Sequence, residues 1–92
     1  MTAVTETFRK ISVLNAHKII TIQTDADATS GYTIDLASDS ADGKGVVLTQ
    51  ILNTLLQDDA GADKTCTWDP ATGIITLGTI TTGIHNLTII GY

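Results

Sequence analysis

Residues 70–92 contain no Asp, Glu, Lys or Arg. A sheet washed by solvent normally carries charge on its outer face and edges, which keeps it from pairing with other chains. An uncharged stretch of this length is therefore expected to be covered on both sides, or covered on one side by another chain. Its local pattern is β throughout. Apolar, β-branched runs meet across Asp69-Pro70-Ala71-Thr72-Gly73, and a further run follows Thr81-Thr82-Gly83. Proline sets φ at the first corner of a turn, and glycine supplies the positive φ that closes it. The reading is a hairpin plus one more strand, three in a row.

The rest of the composition agrees. Thr, Ile and Val supply 33 of the 92 residues, whereas Glu and Arg each occur once. Side chains branched at Cβ pack well on a pleated surface, and the best formers of exposed helices are nearly missing. The fold class expected is all-β: a small antiparallel β-sandwich or barrel, with or without one short helix near 46–57. Residues 1–7 are read as a flexible N-terminal arm and 8–92 as a single β domain. A chain this short buries about 60–65% of its unfolded surface. With four aromatic residues and one cysteine, its core is aliphatic, thin and without an internal disulfide. Oligomerisation or docking on a larger surface is the support that remains.

Charge is unevenly placed. Residues 1–18 set Glu6 against Arg9, Lys10 and Lys18, a local +2, while 25–69 set nine Asp against Lys44 and Lys64, a local −7. No basic stripe is present, so nucleic acid is not expected as a direct partner. No apolar run approaches the roughly 20 residues of a membrane span, and the N-terminus lacks a signal-peptide h-region. The chain is expected to be soluble and to start where it is written.

Along the chain, residues 8–14 alternate loosely, with Arg9 and Lys10 outward and Phe8, Ile11 and Val13 nearer a core. Asn15-Ala16 turns the chain into a clearer strand at 17–25, where Ile20 and Ile22 share a face. Residues 25–31 are turn chemistry, and 32–36 place Tyr32, Ile34 and Leu36 inward. Residues 37–45 read as a small, acidic, mobile loop. In the stretch 46–57 apolar residues recur at helical spacing, yet Val-Val, Thr and Asn are weak helix formers and Gly45 is a poor cap. The preferred reading is a turn near Leu48-Thr49 followed by a strand at 50–58. Gly78 marks a bulge or a close approach by another backbone. In the last strand His85, Leu87 and Ile89 share one face, and Ile84, Asn86, Thr88 and Ile90 share the other. That second face is half polar without being charged, so these four residues and Tyr92 are the candidate interface.

The residues offer little for catalysis. Cys66 lies beside Trp68 on an alternating strand and reads as a structural thiol. His17 and His85 have no nearby companion ligand and read as strand-end or interface residues. Asp35, Asp39 and Asp42 flank one glycine-bearing loop, and Asp58, Asp59 and Asp63 flank another. Neither has the spacing of an EF-hand loop, so both read as solvated turns, with weak calcium binding as the alternative. No catalytic residues, cofactor or metal are expected.

The order of features resembles small virion structural proteins of tailed bacterial and archaeal viruses. The residues that carry the likeness are the polar arm with the hairpin FRKISVLNAHKIITIQTD at 8–25, then ATSGYTIDL at 28–36. TCTWDPATGIITLGT at 65–79 and HNLTIIGY at 85–92 complete it. The resemblance implies a non-enzymatic, homo-oligomeric decoration or cement protein. Such a protein binds the major capsid protein or another virion protein, stabilises the shell, and resides in the virion after assembly in the host cytoplasm. The alternatives are a receptor- or glycan-binding head, with its site on the loops at 25–31, 37–45 and 58–63, or a tail or connector component.

Overall fold

The computed structural model describes residues 2–37 and 45–92, and the described residues are all-β, without a helix. Eight strands follow in order: β1 (Glu6–Leu14), β2 (His17–Thr24), β3 (Thr33–Asp35), β4 (Ile51–Asp58), β5 (Asp63–Lys64), β6 (Cys66–Asp69), β7 (Ile74–Leu77) and β8 (His85–Gly91). They form two antiparallel sheets, a large one in the order β1-β2-β8-β4-β5 and a small one in the order β3-β7-β6. Alternation explains the layering. Ile20 and Ile22 of β2, Leu56 of β4, and Leu87 and Ile89 of β8 point down from the large sheet. Ile34 of β3 with Ile75 and Leu77 of β7 point up from the small one, and all eight join one buried cluster. The result is a β-sandwich-like domain. Truncating any of these fully buried isoleucines or leucines to Ala is worth about 2–5 kcal/mol.

The turns carry the expected chemistry. Asn15 takes the left-handed conformation, φ 56°, in the two-residue loop between β1 and β2. The β6–β7 hairpin turns as the sequence requires. The Asp69 carboxylate accepts the Ala71 N–H at 2.9 Å, and Gly73 closes the turn at φ 75°. At Gly78 the close approach is real. Its N–H donates to the Thr65 carbonyl at 2.8 Å, and a Cβ there would collide with that residue.

Several expectations need correction. The last three strands are not neighbours in one sheet. After β7 the chain buries Ile80 and crosses to the large sheet, where β8 inserts between β2 and β4. The stretch 46–57 is a strand at Ile51–Asp58, as preferred, and no helix forms there. Val46 and Leu48 are buried on either side of exposed Val47, an extended alternation that happens to overlay helical spacing. In the first strand, Phe8 and Val13 are exposed and Arg9 is 1% exposed, the reverse of the expected sense. The arm is laid against the small sheet. Val4 N–H donates to the Thr33 carbonyl, Thr33 N–H donates to the Thr2 carbonyl, and Glu6 already belongs to β1. Of the acidic loop at 37–45, residues 38–44, with Asp39 and Asp42, lie outside the described residues.

Candidate functional site

The register of the large sheet builds its outer face row by row. Gln23, Asn86 and Gln57 are opposite one another on β2, β8 and β4; Thr21, Thr88 and Leu55 form the next row, and Ile19, Ile90 and Asn53 the third. No member of these rows is charged. Charge sits only at the margins, with Lys10 paired to Thr21 from β1 and Asp63 paired to Gln57 from β5. The polar groups are tied to one another: Gln23 Nε2 donates to Asn86 Oδ1 at 3.2 Å, and Gln57 Nε2 donates to Asp63 Oδ1 at 3.0 Å. Amides that already satisfy each other lose less on burial than free ones. A half-apolar, uncharged, hydrogen-bonded face is chemically suited to meeting protein.

The structure brings three of the five proposed interface residues together. Asn86, Thr88 and Ile90 form the central column of this face. Tyr92 lies beyond the end of β8, its hydroxyl donating to Gln50 Oε1 at 2.7 Å and its ring edge-on to His17 at 6.1 Å. Ile84 precedes β8 and lines a shallow pocket of about 370 Å³ with Asp58, Thr82 and His85. It stands apart from the column.

His85 is at the strand end, as expected, but on the inner face and buried. Its Nδ1 is 2.9 Å from the Gly83 carbonyl, while Nε2 has no partner among the described residues. Asp58 holds its own turn, its Oδ1 accepting from the N–H groups of Ala60 at 3.0 Å and Ala62 at 2.9 Å. These bonds, led by that from Ala62, and nearby Lys64 and His85 hold its carboxyl below the ordinary range. Among the described residues no three His, Cys, Asp or Glu side chains gather as metal ligands. Cys66 is a half-buried free thiol whose pKa is raised by desolvation, opposed by a hydrogen bond with the Thr54 side chain. That contact joins the two sheets.

Sequence reasoning missed Arg9. Its guanidinium grips Glu6 with two bonds of 2.8 and 2.7 Å and donates to the carbonyls of Leu36 and Asp35, each at 3.0 Å. This clamp fastens the edge of the large sheet to the end of β3. A glycan-binding head would need an exposed aromatic platform, for which Tyr32, Trp68 and Tyr92 are the candidates, and of these Trp68 is set among pockets. It is half-buried between pockets of about 310 and 250 Å³, and its Nε1 has no partner among the described residues. No family model matches the sequence, and no curated protein or solved structure matches the chain.

Proposed function

We propose that this chain is a non-enzymatic structural protein that multimerises and docks on a larger protein surface through the outer face of its large sheet. In the fuller form of this reading it is a decoration or cement protein that binds the capsid surface of a tailed bacterial or archaeal virus and stabilises the shell. The observation that carries the docking role is the outer face of β2, β8 and β4, where the three rows of outward residues contain no charged side chain. The virion setting rests on the resemblance in the order of sequence features. Burial of about 1,600 Å² per joint, repeated over a lattice, holds a shell by multiplicity more than by single-site affinity.

The test is mass in solution, first alone and then with candidate shell proteins. A species larger than 9.7 kDa is expected at micromolar concentration. Thr88→Lys, in the middle of the face, is expected to leave the fold intact and block docking, because a desolvated, unpaired charge costs several kcal/mol. A stable monomer that binds no shell protein would sink the reading.

A receptor- or glycan-binding head is the second reading, and Trp68 favours it. A half-buried tryptophan that lines two neighbouring pockets offers part of its ring as a surface on which a sugar can stack. Quenching or shift of its fluorescence on titration with oligosaccharides would support that alternative.

A further inference from the structure

The sandwich has four sheet edges, and three of them are short or attended. β5 is two residues long and β6 four, while β3 is three residues long with Ala3 bridged to it in parallel. The fourth, β1, runs nine residues with no strand on its far side among the described residues. It also carries Phe8, Val13 and Leu14, which are 43%, 69% and 62% exposed. Edge strands are usually blunted by charge. Here Arg9 is turned inward onto Glu6, which leaves Lys10 as the edge's remaining charged side chain on the outer face.

We propose that β1 pairs antiparallel with β1 of a second copy, about a two-fold axis through Ile11. Hairpin geometry fixes which backbone groups are available. Leu14 and His17 close a two-residue loop and so exchange hydrogen bonds. Alternation then turns Ser12 and Lys10 toward β2 and leaves the N–H and C=O of Arg9, Ile11 and Val13 facing outward. A two-fold at Ile11 sets Ile11 opposite its own counterpart and Arg9 opposite Val13, so every outward group finds a partner. On the outer face the same register sets Phe8 against Leu14 and Lys10 against Ser12. Val13, the most exposed of the three, comes to lie beside the other copy's Arg9, whose charge is already held by Glu6. The neighbouring register, centred on Lys10, opposes two lysines and leaves Phe8 against Ser12. Self-complementarity thus selects the occupant and the register together. The joined sheet has ten strands, with both uncharged faces on one side, but the pairing stands whether or not that face docks on anything.

Disulfide trapping tests it in the full chain. Lys10→Cys and Ser12→Cys proteins are made separately, oxidised alone and as a mixture, with the wild-type chain as a control for Cys66. In the proposed register positions 10 and 12 of opposite copies form a non-hydrogen-bonded pair with Cα atoms about 4.5 Å apart, within reach of a disulfide. Each position is about 7–8 Å from its own counterpart, too far to bridge. The expected result is covalent dimer in the mixture alone. Dimer from Lys10→Cys by itself, or none beyond the wild-type level in any sample, overturns the proposal. Val13→Pro supplies an independent reading, because it removes an outward N–H and spares the β1–β2 ladder. It is expected to weaken dimerisation at least tenfold, and unchanged dimerisation would count against the pairing. Trapping that persists in Thr88→Lys proteins that no longer dock would separate this edge from the docking face.

Discussion

The two sheets treat charge in opposite ways. On the small sheet the outward residues form two rows, Thr33-Thr76-Thr67 and Asp35-Ile74-Asp69. Its outer face therefore carries a carboxylate on each edge strand. The large sheet has no charge on the outside of its three central strands and keeps an ion pair inside, where Arg9 and Glu6 have side chains 0% and 9% exposed. Charge outside keeps a sheet soluble and unpaired, whereas charge inside fixes how elements meet and leaves the outside free for contact. The small sheet is built to face water. The large one lacks that protection, which is what the proposed docking role requires.

The largest effect is expected from the internal charge. Arg9→Ala strands Glu6 and two carbonyls in a poorly solvated site and should cost about 3–5 kcal/mol in denaturant unfolding. That is a large part of the roughly 5–15 kcal/mol that holds a small domain together. Removing both charges, with Glu6→Gln and Arg9→Met, should cost less than Arg9→Ala alone. If the single and double variants are equally unstable, the clamp acts through packing, and the inside–outside contrast loses its electrostatic basis.

A matched pair of substitutions asks whether the outer faces differ. Thr88 and Thr76 are both on central strands, and both are flanked by threonine, Thr88 by Thr21 and Thr76 by Thr33 and Thr67. Thr88→Lys should reduce docking or self-association by a hundredfold or more, about 2.7 kcal/mol, while leaving the melting temperature near that of wild type. Thr76→Lys places its cation near Asp35 and Asp69 and should be neutral, within about 0.5 kcal/mol, in both assays. If Thr88→Lys instead unfolds the protein, the face belongs to the protomer's own packing. Equal behaviour of the two variants would erase the distinction between the sheets.

How much of this was legible depends on where simple alternation survives. β2, β7 and β8 alternate without interruption, and the sequence reading placed Ile20 and Ile22 on one face of β2 and separated the two faces of β8, including the column Asn86, Thr88 and Ile90. β1 defeats the same rule. A register shift between Glu6 and Phe8 places an extra residue in the strand, so Glu6 falls opposite buried Thr24 and reaches Arg9 on the inner face. Plain alternation would have put Glu6 outside with Phe8. The path of β8 was equally hidden. Nothing local distinguishes a strand that continues a hairpin from one that crosses to the facing sheet. That choice is made by long-range burial of Ile80, Leu87 and Ile89. The Tyr-bearing strand was read too long, because β3 spans three residues, but Ile34 and Leu36 are buried as its alternation requires.

A smaller effect is expected where the two sheets touch. Cys66→Ser puts a more strongly solvated hydroxyl at a half-buried site and should cost about 1–2 kcal/mol, with assembly unchanged. The thiol also gives a pH signature. Its pKa is raised above the ordinary 9.0, so the unfolded chain loses this proton first as pH rises. The contribution is complete below the unfolded value and is lost as pH rises through the folded one. Wild type should therefore lose stability faster than Cys66→Ser above about pH 9. Parallel alkaline profiles would mean that the site is as wet as the unfolded chain.

The smallest effect belongs to the charge at the rim. Asp58 ends β4, and its carboxyl is held below the ordinary 3.8, chiefly by the Ala62 N–H, with the Ala60 N–H and Lys64 adding to it. A depressed pKa means that the folded state favours the ionised form. Its contribution is present above the ordinary carboxylate value and disappears as pH falls through the folded one. Melting temperatures of wild type and Asp58→Asn, followed from neutral to acid, should differ slightly at neutral pH and converge as the pH falls below the ordinary 3.8 and through the lower folded value. Asparagine keeps a carbonyl for the Ala60 and Ala62 amides, so the difference isolates the charge from the turn. The difference should also shrink with added salt, because the carboxylate is partly open to solvent and screened. A gap that persists at low pH would assign the effect to turn geometry, and the rim charge would then contribute nothing to holding β4 against β8.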